Sequence, residues 1–439
     1  MRKSVVLTLI AMLLLSTGIL GAQTLNVWIS TTFVNAQNNW LRAKVEQWSK
    51  ETGVKVNLSI FPKEIYATKI VSAIESGKVP NVVLQGAAGV VLAAENGLLV
   101  PVDSIIDKLG RSDFYPAILK YTKVTRNGVA HNYGIPMFVE ARTVEVRSDI
   151  LKKHGIKIPE HPTMQWLINT AKEVNNPPKL YGWGFTLGKC YDANDNILAM
   201  IYAFGGGYIS NRGPHGADIF NTAPTWKALS TIKKLYDEHV IPPDSLSWTD
   251  FGNNLAFMQG RIAFTMNGLS IYYAMVKNHN PIAKVTKEIF LKDIVIDTGL
   301  KSAFAFKSTP EKENLEKDLI YFIFKDKVAY RINMCEKAQL YGLPIFKSQG
   351  KIISQEWKEG KWSMFAVDPM SALSPSLKAV WAMSYPLGEP TSVAEEVEGS
   401  LIIPTYVEKM FTSNWTPQKV ANTIAEKINV MLTRTYGKK

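Results

Sequence analysis

The first part of the chain alternates between short apolar strands and amphipathic helices, and this alternation restricts the possible fold more than any other feature. Residues 25–30, 54–61 and 79–87 carry the sequences LNVWIS, VKVNLSIF and VPNVVLQGA, which are typical of strands. Two helical segments, 38–53 and 64–77, separate these strands, and each ends at a glycine. Strands separated by helices predict right-handed βαβ crossovers, a parallel sheet and therefore an α/β protein.

A change in the strand pattern marks residues 133–151, which have the sequence YGIPMFVEARTVEVRSDIL. Met137 and Val139 are apolar residues of its first half, whereas Val144 and Val146 take that role in the second half, in the opposite phase. Because side chains alternate with period two along a strand, such a change means that the chain enters different surroundings. We therefore predict that the main chain passes from one lobe to another between the two halves of this segment.

The remaining chain carries segments that imply a second lobe. We predict helices at 148–156, 162–176, 194–211, 225–241, 313–324, 327–338 and 417–432, and extended segments at 261–268 and 293–309. A glycine break at 298–301 is the predicted return passage. Because 439 residues exceed what one hydrophobic core usually supports, we expect two lobes. The first would contain residues 23–139 and 300–346, and the second residues 140–299 and 347–439.

The chain begins with the pattern of a secretory signal peptide. Two basic residues precede an almost unbroken apolar run at 5–15, and Gly21 and Ala22 offer a cleavage point. The run is short for a membrane span, and no cysteine follows it as a site for a lipid anchor. We therefore expect residues 1–22 to be removed and an exported, soluble protein to remain, with an uncleaved anchor as the alternative.

The charge balance and the cysteine count limit the possible partners. Subtracting the two basic residues of the signal from 50 Lys and Arg leaves 48, against 38 Asp and Glu, so the net charge is about +10. Charges of both signs are interleaved without a dense basic run, which favours a mixed surface and no nucleic-acid partner. Cys190 and Cys335 are expected to be unbonded and packed, with one disulfide as the alternative.

Motifs of common enzymes are missing from the sequence. It contains no G-x-S-x-G, no G-x-x-x-x-G-K-[ST], no H-E-x-x-H and no G-x-G-x-x-G after a strand. Glu395 and Glu396 are adjacent, but on a helix they would point to different faces. Six scattered histidines and no CxxC give little material for a metal site. We therefore predict no enzymatic activity, no cofactor and no metal, with a carbohydrate-active enzyme as a remote alternative.

Several motifs together, in order and spacing, resemble one family over essentially the whole chain after the signal. They are LNVWIS, KETGVKVNL, ESGKVPNVVL, AAENGLLVPVD, the segment 133–156, FMQGRIAFTMNG, TGLKSAFAFKST and NWTPQKVANTIAEKIN. These motifs are similar to those of the extracellular solute-binding proteins of carbohydrate ABC transporters, family 1, which include the maltose-binding proteins. The resemblance implies a two-lobed periplasmic-binding-protein fold of type II, in which each lobe is a mostly parallel sheet flanked by helices. It also implies a periplasmic monomer that carries a carbohydrate to the permease subunits of an ABC transporter, without inserting into the membrane.

The same resemblance, together with the loops that follow the predicted strands, gives a set of candidate ligand contacts. In the order of the chain these are Thr31, Thr32, Glu64, Gln85, Gly86, Glu140, Trp183, Asp192, Asn194, Asn196, Trp248, Asn267, Tyr272 and Lys301. Hydroxyl, amide and carboxylate groups suit the rim of a sugar, and an aromatic ring suits its C–H face. Three alternatives stay open: Glu64 as a helix N-terminal charge, Asn194 as an N-cap, and core packing for the tryptophans.

Departures from the family pattern bear on the ligand. Thr31 and Thr32 stand where maltose-binding members carry a charged pair, and Gln85 stands where they carry a stacking tryptophan, so maltose is a poor candidate. We expect a neutral mono- or oligosaccharide. The alternative is a polyol phosphate or another anion bound through Arg142 and Lys301, although Arg142 is expected to pair with a nearby carboxylate.

Overall fold

The computed structural model describes residues 23–86, 88–140, 142–294, 301–373 and 384–437. Its strands are β1 (Thr24–Ser30), β2 (Lys55–Phe61), β3 (Val82–Gly86), β4 (Lys123–Arg126), β5 (Val129–Asn132), β6 (Ile135–Phe138), β7 (Thr143–Arg147), β8 (Tyr181–Trp183), β9 (Ile262–Asn267), β10 (Thr286–Ile289) and β11 (Lys301–Ala305). The predicted signal peptide and residues 298–300 of the predicted return passage lie outside the described residues.

Helices connect and cover these strands. In chain order they are α1 (Asn35–Thr52), α2 (Lys63–Ser76), α3 (Val90–Glu95), α4 (Asp103–Leu109), α5 (Pro116–Lys120), α6 (Ser148–Lys153), α7 (Met164–Val174), α8 (Tyr191–Ala203), α9 (Ala223–Asp237), α10 (Gly252–Met258), α11 (Ser270–Lys277), α12 (Pro310–Lys325), α13 (Lys327–Met334), α14 (Lys347–Lys358), α15 (Pro369–Leu373), α16 (Ser392–Ser400), α17 (Ile402–Val407), α18 (Lys409–Thr412) and α19 (Pro417–Tyr436).

The strands form two main sheets, which define the two lobes. The sheet of the first lobe has the order β2-β1-β3-β11-β6, and that of the second lobe has the order β10-β7-β9-β8. A separate hairpin pairs β4 with β5. Both sheets are flanked by helices, so the predicted α/β class is confirmed.

The expectation of mostly parallel sheets is confirmed, with one reversed strand in each sheet. β1 is parallel to β2 and β3 as predicted, but β11 is antiparallel to β3 and β6. In the second sheet, β8 and β9 are parallel, whereas β7 is antiparallel to β9 and β10. The chain leaves the first sheet after β6 and enters the second sheet at β7. It leaves the second sheet after β10 and re-enters the first sheet at β11. Outgoing and returning strands therefore lie side by side in opposite directions.

The phase change at residues 133–151 does mark a passage between the sheets. β6 ends at Phe138 in the first sheet, and β7 begins at Thr143 in the second. Between them, Val139 exchanges two backbone hydrogen bonds with Leu343, at 2.9 and 2.8 Å. Leu343 therefore lies beside the outgoing chain.

Helix α1 shows how the sequence determines the packing in the first lobe. Leu41, Val45 and Trp48 follow one another at helical spacing and are all buried. The helix ends at Gly53, whose φ of 73° lies in the left-handed region that glycine adopts readily. The indole N–H of Trp48 donates to the Asp318 carboxylate on α12 at 2.8 Å, which fixes α1 against α12.

Two further sequence predictions concern the thiols and the membrane. Cys190 and Cys335 are both buried and unbonded, as predicted. Within the part of the chain that the structure describes, none of the helices combines the length and the apolar character that crossing a membrane requires.

Candidate functional site

Glu140 and Lys301 form an ion pair where the chain passes between the lobes. The Lys301 ammonium donates to the Glu140 carboxylate at 2.5 Å, and both side chains are largely buried. The Tyr341 hydroxyl also bonds this carboxylate. Burial acts to raise the pKa of Glu140, but the positive charges of Lys301 and Arg142 outweigh it and hold the pKa below its usual value. Glu140 is therefore ionised at neutral pH.

Arg142 lies on the second-lobe side of the same passage and pairs with two carboxylates at the start of α8. Its guanidinium donates to Asp192 at 3.1 Å and also pairs with Asp195. The side-chain amide of Asn267, at the end of β9, donates to the other oxygen of Asp192 at 3.0 Å. Burial raises the pKa of Asp192, although the Arg142 charge opposes this effect. The predicted pairing of Arg142 with a nearby carboxylate is confirmed.

The two lobes touch beside this network. Lys63, at the start of α2, lies 3.7 Å from the Asp250 carboxylate of the second lobe, and Asp250 accepts the backbone N–H of Asp192 at 3.0 Å. The Lys63 ammonium also lies 3.9 Å from the ring centre of Phe33, which meets Phe251 edge-on at 5.1 Å. Residues that follow β1 and β2 thus contact the segment that precedes α10.

Gly268 allows a close approach between the lobes. It follows β9 directly, and a Cβ atom at this position would lie 2.9 Å from the Glu140 carboxylate and 3.3 Å from its Cγ. Any larger residue would displace Glu140 or separate the two segments. The end of β9, with Asn267 and Gly268, is therefore part of the same site as Glu140.

The predicted contacts of the first lobe have different surroundings. Thr32 is buried, and its hydroxyl bonds Gln37 at 2.8 Å at the start of α1, so this hydroxyl is used within the first lobe. Thr31 is partly exposed. Glu64 lies in the first turn of α2.

Gln85 and Gly86 end β3 in an unusual conformation. Gln85 has a φ of 57°, which is uncommon for a residue other than glycine, and its buried amide has no hydrogen-bond partner among the described residues. A Cβ on Gly86 would lie 2.6 Å from both Phe304 and the Tyr66 hydroxyl. A strained, unsatisfied amide at a strand end is a feature of many binding sites.

Two of the three aromatic residues that were predicted to stack on a ligand are part of the core. Trp183 has no exposed surface and packs edge-on against Phe185 at 5.1 Å, so it offers no face to a ligand. Trp248 is 7% exposed, and its indole N–H donates to Asp244 at 3.1 Å. For both tryptophans the core alternative holds. Tyr272, on α11, is the predicted aromatic residue that keeps partial exposure.

The start of α8 differs from the prediction. The helix begins at Tyr191 with Cys190 as its N-cap residue, so the alternative role of Asn194 as an N-cap is wrong. Asn194 and Asn196 lie inside the helix and are buried, and both amide atoms of Asn196 find no hydrogen-bond partner among the described residues. These buried amides lie close in sequence to Asp192 and Asp195.

Several residues of the site were missing from the predicted set. Lys63, Asp250 and Tyr341 contribute charge or hydrogen bonds, Asp195 pairs with Arg142, and Gly268 allows the close approach to Glu140. Asp195 lies one helical turn after Asp192, and this spacing is a signal that could have identified the pair. Lys63 and Asp250 are distant in the sequence, and no local pattern connects them.

Two lobes, joined by adjacent chain passages and facing each other across charged and amide side chains, define a clamp-like binding protein. The model of the family of bacterial extracellular solute-binding proteins matches residues 35–314, and the chain belongs to this family.

Solved structures and curated relatives agree with this assignment. A solute-binding protein of an ABC transporter from Thermotoga lettingae, bound to α-D-tagatose, is 20% identical with a TM-score of 0.73, and the match covers 93% of this chain and 100% of that one. Maltose-bound MalE3 of T. maritima is 19% identical with a TM-score of 0.74, over 93% and 100% of the two chains. An ABC transporter-binding protein of Deinococcus radiodurans is 28% identical over 245 residues, 54% of this chain and 56% of that protein. The chain spans about half the length of the curated relatives it matches.

Proposed function

We propose that this protein is the substrate-binding component of an ABC importer and that it binds a neutral carbohydrate or polyol between its lobes. The binding site would include Glu140, Asn267 and Gln85. Ligand contacts made by both lobes only in the closed state would favour closure, and the closed form would deliver the ligand to a membrane permease.

The pairing of the cationic side chains is the observation that carries this proposal. Lys301 pairs with Glu140, Arg142 with Asp192 and Asp195, and Lys63 approaches Asp250. An anionic ligand would have to displace carboxylates that already occupy these cations, and this would leave buried negative charge uncompensated. A neutral polyhydroxylated ligand can bond carboxylate and amide groups without breaking the pairs.

The ligands of similar proteins support the same class. Tagatose and maltose are bound in the two structures described above, and further neighbours hold ribitol, D-mannitol and laminaribiose. All five are neutral polyhydroxylated molecules, although they differ in size and ring number. The proposal therefore extends to a chemical class and not to one sugar.

Thermal unfolding against a panel of compounds tests the class. The panel contains the five neutral ligands named above, with sn-glycerol 3-phosphate and inorganic phosphate as anions. A compound that binds the native state alone stabilises it by about 2.7 kcal/mol at one hundred times Kd, and this raises the melting temperature. A shift with neutral compounds supports the proposal, whereas a shift confined to the phosphorylated compounds overturns it in favour of the anion alternative.

The substitution Glu140→Gln tests the position of the site once a ligand is known. We expect at least a tenfold weaker affinity, equivalent to about 1.4 kcal/mol, because the carboxylate would accept ligand hydroxyls more strongly than an amide does. The matched control is Glu173→Gln, an exposed position on α7. Calorimetry measures both affinities, and circular dichroism checks the fold. Equal affinity in the two variants would remove Glu140 from the site.

A further inference from the structure

Three polar residues form a row across the three central strands of the first sheet. Ser30 ends β1, Gln85 lies near the end of β3 and Ser302 lies near the start of β11, in the strand order β1-β3-β11. The parallel register of β1 and β3 places Ser30 beside Gln85, and Ser302 pairs with the residue that follows Gln85. We call Ser30, Gln85 and Ser302 the polar row.

The polar row is fully buried, but its side chains lack hydrogen-bond partners. None of the three residues has exposed surface. The two serine hydroxyls and both amide atoms of Gln85 find no partner among the described residues. A buried polar group without a partner destabilises the folded state, so native proteins keep few of them. Three in one row are expected where a ligand or ordered water supplies the missing hydrogen bonds.

Two β-bulges interrupt the sheet at the polar row. Beside Gln85, three steps along β3 correspond to two steps along β11, so β3 carries an extra residue there. Gln85 has the left-handed φ of 57°, and its backbone N–H donates to the sulfur of Met137 at 3.1 Å. A second register shift lies between Lys301 and Ser302, where β11 meets β6. Bulges end regular pairing and redirect side chains, and they are common beside functional sites.

The second lobe contacts the segment that follows the polar row. Helix α3 begins a few residues after Gln85, and the Glu395 carboxylate on α16 accepts its backbone N–H groups at Val91, at 3.2 Å, and Leu92, at 3.0 Å. α16 belongs with the second lobe, since it packs on α17 and α19, which in turn pack on α8 and α9. The polar row therefore lies near a contact between the lobes, at the edge of the sheet where α/β proteins bind ligands.

We propose that the polar row is the first-lobe part of the ligand site and that it bonds the hydroxyl groups of an uncharged end of the ligand. The proposal rests on the proposed function and adds Ser30 and Ser302 to the site. Hydroxyl and amide groups both donate and accept hydrogen bonds, as the hydroxyl groups of a sugar or polyol do. No member of the row is charged, and Lys301 points to the other face of β11, where it pairs with Glu140.

The width of the polar row sets a minimum length for the ligand. Ser30 and Ser302 lie on the two strands that flank β3, so two strand spacings, roughly 10 Å, separate them. Period-two alternation puts them on one face of the sheet, the face of Trp28 and Phe304. A single hydroxyl group cannot reach both serines, so a ligand that bonds the whole row carries several hydroxyl groups along its length. The row therefore favours molecules such as ribitol, D-mannitol or a sugar over glycerol.

Substituting the serines by alanine should change stability and affinity in opposite directions. In the ligand-free protein, Ser302→Ala removes a buried hydroxyl that no described residue bonds, so the melting temperature should rise by about 1–3 °C. The same variant should bind the ligand roughly three- to tenfold more weakly, because one hydrogen bond to the ligand is lost. We expect the same two changes for Ser30→Ala. A serine with a purely structural hydrogen bond would instead lose stability on substitution.

The probe is the compound that raises the melting temperature of the wild type most among tagatose, maltose, ribitol, D-mannitol and laminaribiose. Calorimetry measures its affinity for each variant, and thermal unfolding without ligand measures stability. Ser112→Ala, at an exposed position of the first lobe outside the polar row, is the matched control and should leave both quantities unchanged. Glycerol should not stabilise the wild type, and stabilisation by glycerol equal to that by the probe would overturn the minimum length.

A third variant tests the amide of the polar row and keeps the test decisive if a serine variant fails to fold. Gln85→Gly removes the amide, and glycine adopts the left-handed backbone of this position readily. It should weaken binding at least as much as either serine variant, and circular dichroism checks its fold. Wild-type affinity in this variant would remove Gln85 from the site and overturn the proposal.

The outcomes separate this inference from the proposed function. If a neutral compound binds the wild type, Ser30→Ala and Ser302→Ala equally tightly, the polar row bonds ordered water only, and the proposed function stands without it. A lower melting temperature of the ligand-free serine variants would also overturn the inference, because the hydroxyls would then be bonded within the protein. A wild type that binds none of the neutral compounds would overturn the proposed function and this inference with it.

Discussion

The two sheets differ in what their strands bury. In the first sheet, apolar residues face both sides: Val82 and Leu84 of β3 lie in one hydrophobic cluster, and Val83 lies in another. In the second sheet, one face is apolar and the other is polar, although both are buried. The polar face carries Thr143, Glu145, Thr265, Asn267 and Glu288, each with no more than 5% of its surface exposed. Burial in this protein is therefore not equivalent to apolar character.

Two carboxyl groups stand opposite each other on the polar face. Glu145 and Glu288 are register partners on β7 and β10, and both are fully buried. Both oxygens of Glu145 and one of Glu288 have no hydrogen-bond partner among the described residues. Burial raises the pKa of Glu145, and the Glu288 charge adds to it; burial also raises the pKa of Glu288 to about 8. At neutral pH the pair therefore retains at least one proton.

The largest effect is expected in the first sheet, from Phe304→Ala. Phe304 is fully buried and packs against Phe306 with ring centres 5.8 Å apart. Removing the ring should lower the free energy of unfolding by about 3–5 kcal/mol, because the apolar surroundings cannot refill the cavity. Urea unfolding measures the change. A loss below about 1 kcal/mol would mean that this face is loosely packed, and the contrast between the sheets would then be weaker than described.

A pH-dependent effect is expected in the second sheet, from Glu288→Gln. A carboxyl group with a raised pKa contributes stability that is present at low pH and is lost as the pH rises through about 8. The wild type should therefore lose stability between pH 5 and pH 8. In Glu288→Gln this decline should be shallower by up to about 1.4 kcal/mol per pH unit, the value for one proton.

Glu173→Gln, at an exposed position, is the control for this titration. Denaturant unfolding at a series of pH values yields the slope for each protein. Identical slopes for the wild type and Glu288→Gln would show that Glu288 exchanges no proton on unfolding. Protonation of Glu288 would then not contribute to the stability of the polar face.

The smallest effect is expected from Thr143→Val. The Thr143 hydroxyl donates to Glu288 at 2.8 Å, and this bond lowers the pKa of Glu288 against the effect of burial. Its loss should cost about 1 kcal/mol and move the decline in stability to higher pH. Thr143→Ser retains the hydroxyl and should keep the wild-type profile. If Thr143→Val and Thr143→Ser show the same dependence of stability on pH, the Thr143 hydroxyl does not influence the pKa of Glu288.

Much of the fold follows from local patterns. The period-two and helical spacings predicted β1, β2, β3 and helix α1 to within a few residues, and the phase change at 133–151 correctly marked the passage between the sheets. The position and reversed direction of β11 could not be predicted in the same way, because no local pattern says that β11 inserts between β3 and β6. That arrangement depends on residues more than 160 positions apart in the sequence.

The site was less predictable than the fold. Period-two alternation puts Glu145 on the face opposite Val144 and Val146, but this pattern cannot show that helix α10 covers that face, where the Asn253 amide donates to the Thr265 hydroxyl at 3.2 Å. The tryptophans were ambiguous because an indole ring suits both a core and a sugar face. Charged partners such as Lys63 and Asp250 meet only after both lobes have formed. Predictions from short segments therefore found the strand ends but not the contacts that join them.

The position of β11 has a consequence for the time course of folding. The first sheet cannot be completed until residues 301–305 are available, because this strand separates β3 from β6. At the usual synthesis rates of about 5–20 residues per second, roughly 8–30 seconds separate the emergence of β6 from that of β11. During this interval the first lobe lacks the strand that separates β3 from β6, so its sheet stays incomplete while the whole of the second sheet is being synthesised.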